Sequence, residues 1–402
     1  MNEKKRKPVE NMEPKYKKTL YASYIGYITQ AIINNLAPLL FVLFQQEFGI
    51  SVGQIGLLVT YNFAIQILTD FLGARYAERI GYKKCIVAAH VLSALGLAGL
   101  GVLPDILGKP YLGLLVSVTV YAVGGGLLEV LVSPIVEALP TEGKSASMSL
   151  LHSFYCWGHG LVVVLSTLFF RVAGTDQWRL LPVIWALVPA LNTFLFAASP
   201  IRMLSEAGEG HTFRQLFGMK LFWVFVILMI CAGASEQAMS QWASFFAEKG
   251  LRVDKTTGDL LGPCMFAILM GLSRWFYGKM GDKIPLKRYI VISGALCVAS
   301  YLIAVFVPNP LISLVGCGLC GLSVGILWPG IFSIAADKCP RGGTAMFGLL
   351  ALAGDIGCAS GPAVVGSLAE GSFGMKAGLM AAMIFPLALI LVVRLLPGYK
   401  DQ

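Results

Sequence analysis

The sequence has little charge for its length, and this shortage limits what the chain can be. Only 13% of its 402 residues are Asp, Glu, Lys or Arg, whereas 56% are hydrophobic. A water-soluble domain of this size cannot bury so much apolar surface. A lipid bilayer must therefore be the solvent of most of the chain.

Histidine is scarce and the cysteines are scattered, which argues against several kinds of site. The nine cysteines are odd in number and scattered, so they do not form a disulfide framework. Cys317 and Cys320 have a metal-binding spacing but lack a second ligand pair. His152 and His159 lie two helical turns apart, too far to share a metal. We therefore expect no metal, no cofactor and no enzymatic activity.

Apolar windows of about twenty residues with few charges predict twelve membrane-spanning helices. Turn residues and charges separate the windows, which favours helices over the shorter, alternating strands of a membrane barrel. The predicted fold class is an all-α membrane protein. Its spans are expected at 20–45, 53–77, 85–107, 111–137, 146–170, 178–199, 219–245, 256–280, 287–307, 310–336, 343–369 and 374–397.

The positive charges predict the orientation of the chain. The first eighteen residues are polar and carry seven Lys or Arg, which indicates an uncleaved first span and not a signal peptide. Most other Lys and Arg fall in loops that follow even-numbered spans, so both termini are expected in the cytoplasm. We expect a multi-pass protein of the cell (inner) membrane. Its basic tail would face lipid, and no nucleic-acid partner is needed.

The loops after spans two and eight indicate two related halves. Acid–base pairs Glu78-Arg79 and Asp282-Lys283 stand about half the chain length apart. Two six-helix copies are the simplest cause of such a repeat. We predict an N-terminal tail at 1–19, pseudo-symmetric bundles at 20–199 and 219–397, a cytoplasmic linker at 200–218 and a C-terminal tail at 398–402.

Acids and amides recur inside the apolar spans, where a charge costs several kcal/mol. Glu129 in span four follows Gly124–Gly126, and these glycines let another backbone or a ligand approach. Gln30 and Asn34 of span one lie on one helix face. The predicted solute-binding residues are Gln30, Asn34, Asn35, Gln66, Glu129, His159, Glu236, Gln237, Gln241, Trp242, Trp328 and Asp355.

Several of these positions also have structural interpretations. Glu129 or Asp355 can be tied to a neighbouring helix, and Trp242 can be an anchor at the outer interface. Asp70 can be a gate or a packing partner for the loop after span two. Arg274 is the only obvious deep basic residue, and its position is nearer the cytoplasm. Without a cation at mid-depth, a neutral solute that bonds amides and carboxylates is favoured over an anion.

The loop after span two resembles the Gly-x-x-x-Asp-Arg-x-Gly-Arg-Lys type motif of the major facilitator superfamily. Here Ala74 replaces the first glycine and Glu78 the aspartate, and a weaker copy follows span eight. The resemblance implies two six-helix bundles that expose one cavity alternately to each side. It also implies gating roles for the loop residues and for an acid that pairs with them; with Asp70, the gating set is Glu78, Arg79, Glu137, Asp282 and Lys283.

Three further motifs resemble the fucose/galactose/glucose:proton symporter branch of that family. They are Asn34-Asn35 in span one, Leu128-Glu129 with Ser133-Pro134 in span four, and the segment from Trp328 to Phe332 in span ten. The resemblance implies proton-coupled sugar uptake, and we expect a monomer. The aspartate that the branch protonates in span one falls near Pro38 here. Coupling would therefore use Glu129, Glu236 or Asp355.

Two other functions fit the same sequence. A drug or metabolite exporter working as a proton antiporter would share the fold. That branch usually places a Gly-Pro motif in span five, where this chain has Trp157-Gly158-His159-Gly160. A non-transporting membrane sensor would use the same cavity, although no large soluble output domain is present. The expected partners are a small sugar-like solute, protons and the lipid bilayer.

Overall fold

The computed structural model describes residues 13–140, 144–201, 211–280, 285–339, 341–370 and 374–396. Within these ranges every regular element is helical. Twelve segments are long and apolar enough to cross a membrane, and they coincide with the twelve predicted spans, so the predicted fold class is confirmed. The segments are Pro14–Phe48, Val52–Gly73, Tyr82–Ile106, Pro110–Val136, Leu150–Ala173, Leu180–Ala197, Lys220–Gly250, Lys255–Tyr277, Leu286–Phe306, Pro310–Ala335, Gly348–Ala369 and Gly374–Val393.

Seven spans belong to single helices. Their bounds are Val52–Ile80, Tyr82–Ile106, Pro110–Glu137, Lys144–Ala173, Leu180–Ala197, Leu286–Phe306 and Gly343–Ala369. Two short elements lie between spans, the 3-10 turn Thr175–Gln177 and the helix Phe213–Phe217. The second begins with a capping box, in which Thr212 and Gln215 each satisfy a backbone N–H of the other.

The other five spans are interrupted. Span one runs Pro14–Asn35, Ala37–Leu40 and Phe41–Phe48; span seven runs Lys220–Ser240, Ala243–Phe245 and Phe246–Gly250; span eight runs Lys255–Asp259, Leu260–Cys264 and Met265–Met280; span ten runs Pro310–Val324 and Leu327–Lys338; span twelve runs Gly374–Ala382 and Ile384–Val393.

Proline accounts for four of these five interruptions. A proline ring clashes with the carbonyl four residues earlier and removes a backbone donor. Pro38, Pro263, Pro329 and Pro386 each follow their break by about one turn. Span one is therefore broken beside Pro38. The break in span seven, at Gln241 and Trp242, has no proline. Both residues belong to the predicted solute-binding residues of span seven, Glu236, Gln237, Gln241 and Trp242, which we call the polar stripe.

Residue contacts divide the chain into two compact units. Unit 1 comprises Met1–Leu36, Ile65–His159 and Asp176–Glu206, and unit 2 comprises Ala37–Ala64, Gly160–Thr175 and Ala207–Gln402. Spans one, two and five are thus shared between the units. Unit 2 holds the remainder of these three spans together with spans seven to twelve. The division of the sequence into bundles at 20–199 and 219–397 stays a prediction.

Glycine lets helices touch at their backbones within each unit. In unit 1, a Cβ added to Gly96 would lie 2.3 Å from the Tyr121 backbone nitrogen, so spans three and four are in direct contact. In unit 2, a Cβ at Gly357 would lie 2.1 Å from the Ile230 carbonyl oxygen of span seven. Larger side chains would separate these helices, which is why small residues occupy membrane interfaces of this kind.

All nine cysteines are free and buried. The sulfur atoms of Cys297 and Cys320 in unit 2 lie 3.9 Å apart, too far for a disulfide bond. Burial also raises the pKa of the Cys339 thiol, which lies between spans ten and eleven. The thiols therefore act as small apolar groups that fill space between helices.

A buried hydrogen-bond network connects spans one, three and six in unit 1. Asn192 Nδ2 lies 3.0 Å from the Ala22 carbonyl oxygen and 2.8 Å from His90 Nε2. His90 Nδ1 lies 2.8 Å from the Ile86 carbonyl oxygen. A neutral imidazole that donates from Nδ1 and accepts at Nε2 satisfies both ring nitrogens. Neither residue stood out in the sequence as part of a pattern.

The Asn192→Leu substitution is expected to destabilise the protein. It leaves His90 Nε2 buried without a donor, at a cost of about 1–3 kcal/mol. Thermal unfolding in detergent measures the effect. Thr193→Val is the matched control, because the Thr193 hydroxyl bonds only the Pro189 carbonyl of its own helix. Equal melting temperatures for the two variants would contradict a structural role for the network.

Candidate functional site

Spans one, two and four bring a chain of polar side chains together in unit 1. Gln30 Nε2 lies 2.9 Å from Gln66 Oε1 and 3.1 Å from Glu129 Oε2. Gln66 Nε2 lies 2.9 Å from Asn34 Oδ1. An ionised carboxylate only accepts hydrogen bonds, so the Gln30 atom that faces Glu129 must be the amide nitrogen. This requirement fixes the direction of every bond along the chain to Asn34.

The glycines before Glu129 make room for this chain. A Cβ at Gly125 would lie 3.2 Å from Oε1 of both Gln30 and Gln66. A Cβ at Gly126 would lie 2.8 Å from Asp70 Oδ1. The glycine segment that the sequence singles out is thus the surface on which the amides of spans one and two rest. Asp70 of span two lies beside Gly126, which is about one helical turn before Glu129 in span four.

The cluster is buried but incompletely hydrogen-bonded. Gln30 is 5% and Gln66 is 2% exposed, whereas Glu129 is partly exposed. Gln30 Oε1 is buried and has no hydrogen-bond partner among the described residues. Buried acceptors are nearly always paired, so an unpaired one marks a place where a donor from a solute or a rearranged side chain can bind.

Two tyrosines that the sequence-based site omits extend the polar surface of unit 1. Asn35 Nδ2 lies 3.3 Å from the Tyr155 hydroxyl, and the Tyr27 hydroxyl lies 2.9 Å from Ser133 Oγ. Tyr155 shares a helix face with His159, which is buried in unit 1. The sequence could therefore have identified Tyr155 as a site residue from this shared helix face. Tyr27 gave no comparable signal.

In unit 2, the predicted polar stripe of span seven is a set of mutual contacts. Gln241 Nε2 lies 3.0 Å from Gln237 Oε1, and Gln237 Nε2 lies 3.4 Å from Glu236 Oε1. Arg274 Nη2 of span eight lies 3.9 Å from Glu236 Oε2, and Arg274 Nε lies 3.3 Å from the Gly325 carbonyl oxygen. The stripe therefore includes a cation.

The sequence did not predict that the Arg274 side chain contacts Glu236, which lies in the middle of span seven. Helical side chains lean toward the N-terminus of their helix, and span eight ends toward the predicted cytoplasmic side. The long Arg274 side chain therefore reaches away from that side, toward Glu236. A position judged from the Cα alone misses this reach.

The two predicted tryptophans both contact span eleven in unit 2. Trp242 is fully buried, and its indole N–H donates to the Pro362 carbonyl at 3.1 Å, so its ring packs between helices in this structure and does not face lipid. A Cβ at Gly354 would lie 2.2 Å from the Trp328 ring. The adjacent Asp355 is buried in the same unit.

The predicted gating residues are only partly covered by the structure. Asp282 and Lys283 lie outside the described residues, as do the side chains of Glu78 and Glu137. Arg79 is exposed in the last turn of the helix Val52–Ile80. Gating by these residues stays a prediction.

A buried ion-pair network at the start of span eight was missed in the sequence. Lys255 Nζ lies 3.1 Å from both Glu248 Oε1 and Asp259 Oδ2, and 2.8 Å from the Leu39 carbonyl oxygen. Asp259 is fully buried and accepts a short hydrogen bond from the Ser244 hydroxyl. The network ties span one to spans seven and eight within unit 2.

The helix that carries Lys255 begins with a capped turn. Asp254 Oδ1 accepts a hydrogen bond from the Thr257 backbone N–H at 3.0 Å, which is a typical N-cap. Because this bond favours the ionised carboxylate, it lowers the pKa of Asp254 below its ordinary value. The cap fixes the start of the helix and with it the direction in which the Lys255 side chain leaves.

Comparison with protein families places this arrangement in a known group. A family model described as Major Facilitator Superfamily matches residues 23–362 and 264–401. The chain belongs to the major facilitator superfamily. It is accordingly a multi-pass membrane protein of a transporter family.

Two relatives match most of the chain. Membrane protein MosC of Rhizobium meliloti is 24% identical over 365 residues, which cover 89% of this chain and 84% of the relative. A multi-drug resistance efflux pump PmrA homolog of Lactococcus lactis is 21% identical over 383 residues, 92% of each chain. The chain therefore spans most of the length of both relatives.

Solved structures of the superfamily share the fold. The D-xylose-proton symporter superposes with a TM-score of 0.78 at 14% identity, covering 96% of this chain and 98% of that one. The Escherichia coli fucose:proton symporter FucP superposes with a TM-score of 0.66 at 18% identity, covering 94% and 98%. At these identities the likeness shows the fold alone.

The Gly125→Ala substitution is expected to destabilise unit 1. Its methyl group would press on both glutamine amides, and overpacking of this kind costs about 1–3 kcal/mol. Gly348→Ala is the control, because a Cβ there meets nothing within 4 Å and alanine favours a helix by up to about 1 kcal/mol. Thermal unfolding should therefore shift in opposite directions, and equal shifts would contradict the tight fit.

The Lys255→Met substitution is expected to destabilise unit 2 more strongly. It leaves Glu248 and Asp259 without their ammonium group, and breaking a buried ion pair costs about 3–5 kcal/mol. Lys249→Met is the control, because Lys249 lies nearby but is exposed, so its loss should stay within about 0.5 kcal/mol. Chemical unfolding followed by tryptophan fluorescence measures both. A Lys255→Met protein as stable as the control would disprove the role of the network.

Proposed function

We propose that this protein is a secondary active transporter that takes up a small sugar-like solute together with protons by alternating access. The observation that carries the proposal is the buried chain from Asn34 through Gln66 and Gln30 to Glu129. It combines hydrogen-bonding groups suited to hydroxyls with one acid suited to a proton, at membrane depth.

The amides suit a neutral polyol. Each hydroxyl of a sugar both donates and accepts, and an amide offers two donors and an acceptor. Gln30 Oε1 is an acceptor without a partner among the described residues, and Gln237 and Gln241 add amides in unit 2. The Arg274 guanidinium lies beside the Glu236 carboxylate, so it does not call for an anionic solute.

Glu129 is the best candidate for the coupling acid. Its carboxylate accepts a hydrogen bond from the Gln30 amide, an Asp70 carboxylate oxygen lies within 4.8 Å, and no Lys or Arg in the described part of the chain forms an ion pair with it. The Arg274 charge, in contrast, stabilises a negative charge on Glu236. Asp355, buried in unit 2, is the second candidate. We place the protein in the cell membrane as a monomer with both termini in the cytoplasm.

Similar proteins give this proposal its context. The D-xylose-proton symporter and the fucose:proton symporter have the same fold, and both are named for sugar uptake with protons. The unbroken chain of hydrogen bonds between spans one, two and four, from Asn34 to Glu129, fits the transport of a sugar together with a proton. The solute, the ion and the direction are part of the proposal.

Uptake into proteoliposomes tests the proposal. A panel of labelled sugars is offered under an inward proton gradient, and the wild-type protein should accumulate at least one of them. Glu129→Gln should retain counterflow exchange of that sugar but lose accumulation, because it cannot release a proton. Asp105→Asn is the control, since Asp105 pairs with Arg179 in an exposed ion pair. Full accumulation by Glu129→Gln would remove Glu129 from the mechanism.

A second candidate function is export of drugs or metabolites by proton antiport. The PmrA homolog, named as an efflux pump, matches 92% of this chain and favours this alternative. The same vesicles separate the two functions, because an antiporter accumulates solute when the vesicle interior is the acidic side. A membrane sensor would show no counterflow with any solute.

A further inference from the structure

The amide chain of unit 1 has a direction that depends on the charge of Glu129. With Glu129 ionised, Gln30 Nε2 donates to Glu129 Oε2 and also to Gln66 Oε1. Gln66 must then turn its Nε2 toward Asn34 Oδ1, as observed at 2.9 Å. Each amide is held in one of its two orientations by its neighbour, and the carboxylate sets the first of them.

Gln30 leaves its own acceptor unused in this arrangement. Gln30 Oε1 is buried and without a partner among the described residues, although buried acceptors are nearly always paired. When the proton is on Oε2, the Glu129 oxygen that faces Gln30, its O–H needs an acceptor that the Gln30 NH2 cannot supply. Rotation of the Gln30 amide by half a turn would bring Oε1 to that O–H.

We propose that Gln30 and Gln66 form a relay that reverses its amides when Glu129 is protonated, and so changes the group that Asn34 presents to the solute. The inference rests on the proposed function in one respect, namely that Glu129 takes up the coupled proton. Gln30 and Gln66 are then positioning residues that carry the state of the acid to Asn34.

The reversal follows from pairing rules. A hydronium ion gives a proton to Glu129 Oε2: one O–H bond forms on the acid, one breaks in the hydronium ion, and a water molecule leaves. Gln30 Oε1 accepts from that O–H, and its Nε2 turns away from Gln66. Gln66 then donates to Gln30, and its Oε1 accepts from the Asn34 amide. With the acid ionised Asn34 receives a hydrogen bond from the relay, and with the acid neutral Asn34 donates one.

Gly125 provides the space in which the amides can turn. A Cβ there would lie 3.2 Å from both glutamine oxygens, so any larger residue would press on the moving groups. Amide rotation needs no movement of the helices, because only the terminal torsion of each side chain changes, and that torsion is soft. The relay is therefore a two-state element of a few atoms.

Other titratable side chains lie on spans two, three and five of unit 1, and a carboxylate oxygen of Asp70 lies within 4.8 Å of one of Glu129. Asp70 of span two lies against Gly126, and His90 of span three is committed to Asn192 and Ile86. His152 of span five packs its ring against Tyr27 of span one, 5.0 Å between centroids. Asp70 competes with Gln30 as the acceptor for the O–H of protonated Glu129. When Asp70 accepts that hydrogen bond, the amides keep their orientation.

Infrared difference spectroscopy tests the relay without a known solute. The full-length protein, labelled with ¹³C at the glutamine side-chain carbonyl, is held in lipid bilayers while the buffer is changed from high to low pH. We expect a carboxylic-acid C=O band together with label-sensitive amide bands. Glu129→Gln should remove both. Gln30→Met should keep the acid band and lose the amide bands.

Matched variants show which residue gives rise to each infrared band. Gln177→Met removes an exposed glutamine and should change nothing. Asp70→Asn and Asp355→Asn should leave the Glu129 acid band in place. Should Gln30→Met fail to fold, Gln66→Met serves instead and should lose the part of the amide signal that Gln66 contributes.

The outcomes separate the relay from the proposed function. An acid band that depends on Glu129 without label-sensitive amide bands overturns the relay and leaves Glu129 as the proton site. Amide bands that survive in both glutamine variants also overturn it. The absence of any acid band that depends on Glu129 overturns the relay together with the proposed coupling.

Discussion

The hydrogen bond from Gln30 to Glu129 is the contact on which the polar interior of unit 1 depends. A carboxylate placed in the middle of an apolar span needs a donor, because lipid offers none. Gln30 is that donor, and Gln66 and Asn34 are oriented in turn by Gln30. The glycines of span four are required for the same reason, since the amides occupy the space that larger side chains would fill.

The same constraint shapes the other buried charges. Arg274 and Glu236 neutralise each other, as do Lys255, Glu248 and Asp259. Glu129 differs because its recorded partner is an uncharged amide. A structural ion pair is satisfied in one protonation state, whereas an acid held by an amide can be accommodated in two. This difference in partner separates the acid suited to coupling from those suited to holding helices together.

The sequence predicted the spans and the core of the candidate site, but not the contacts that need long side chains. The twelve spans and the effect of Pro38 depend only on neighbouring residues, and the spacing of Gln30 and Asn34 fixes a helix face. These features could therefore be predicted from the sequence. Arg274 and Lys255 were misjudged or missed because their charged ends lie several ångströms from their Cα atoms. The pairing of His90 with Asn192 joins distant parts of the chain and has no periodic signal. The gating roles of Asp282 and Lys283 concern residues that the structure does not describe.

The burial of every cysteine has a practical consequence for studying this transporter. Thiol-reactive probes attack exposed thiolates, and none of the nine native thiols is on the surface. A single cysteine introduced at an exposed position would thus be the dominant target of a maleimide dye. Fluorophores or spin labels could report movements of the otherwise native polypeptide, without first rebuilding its interior.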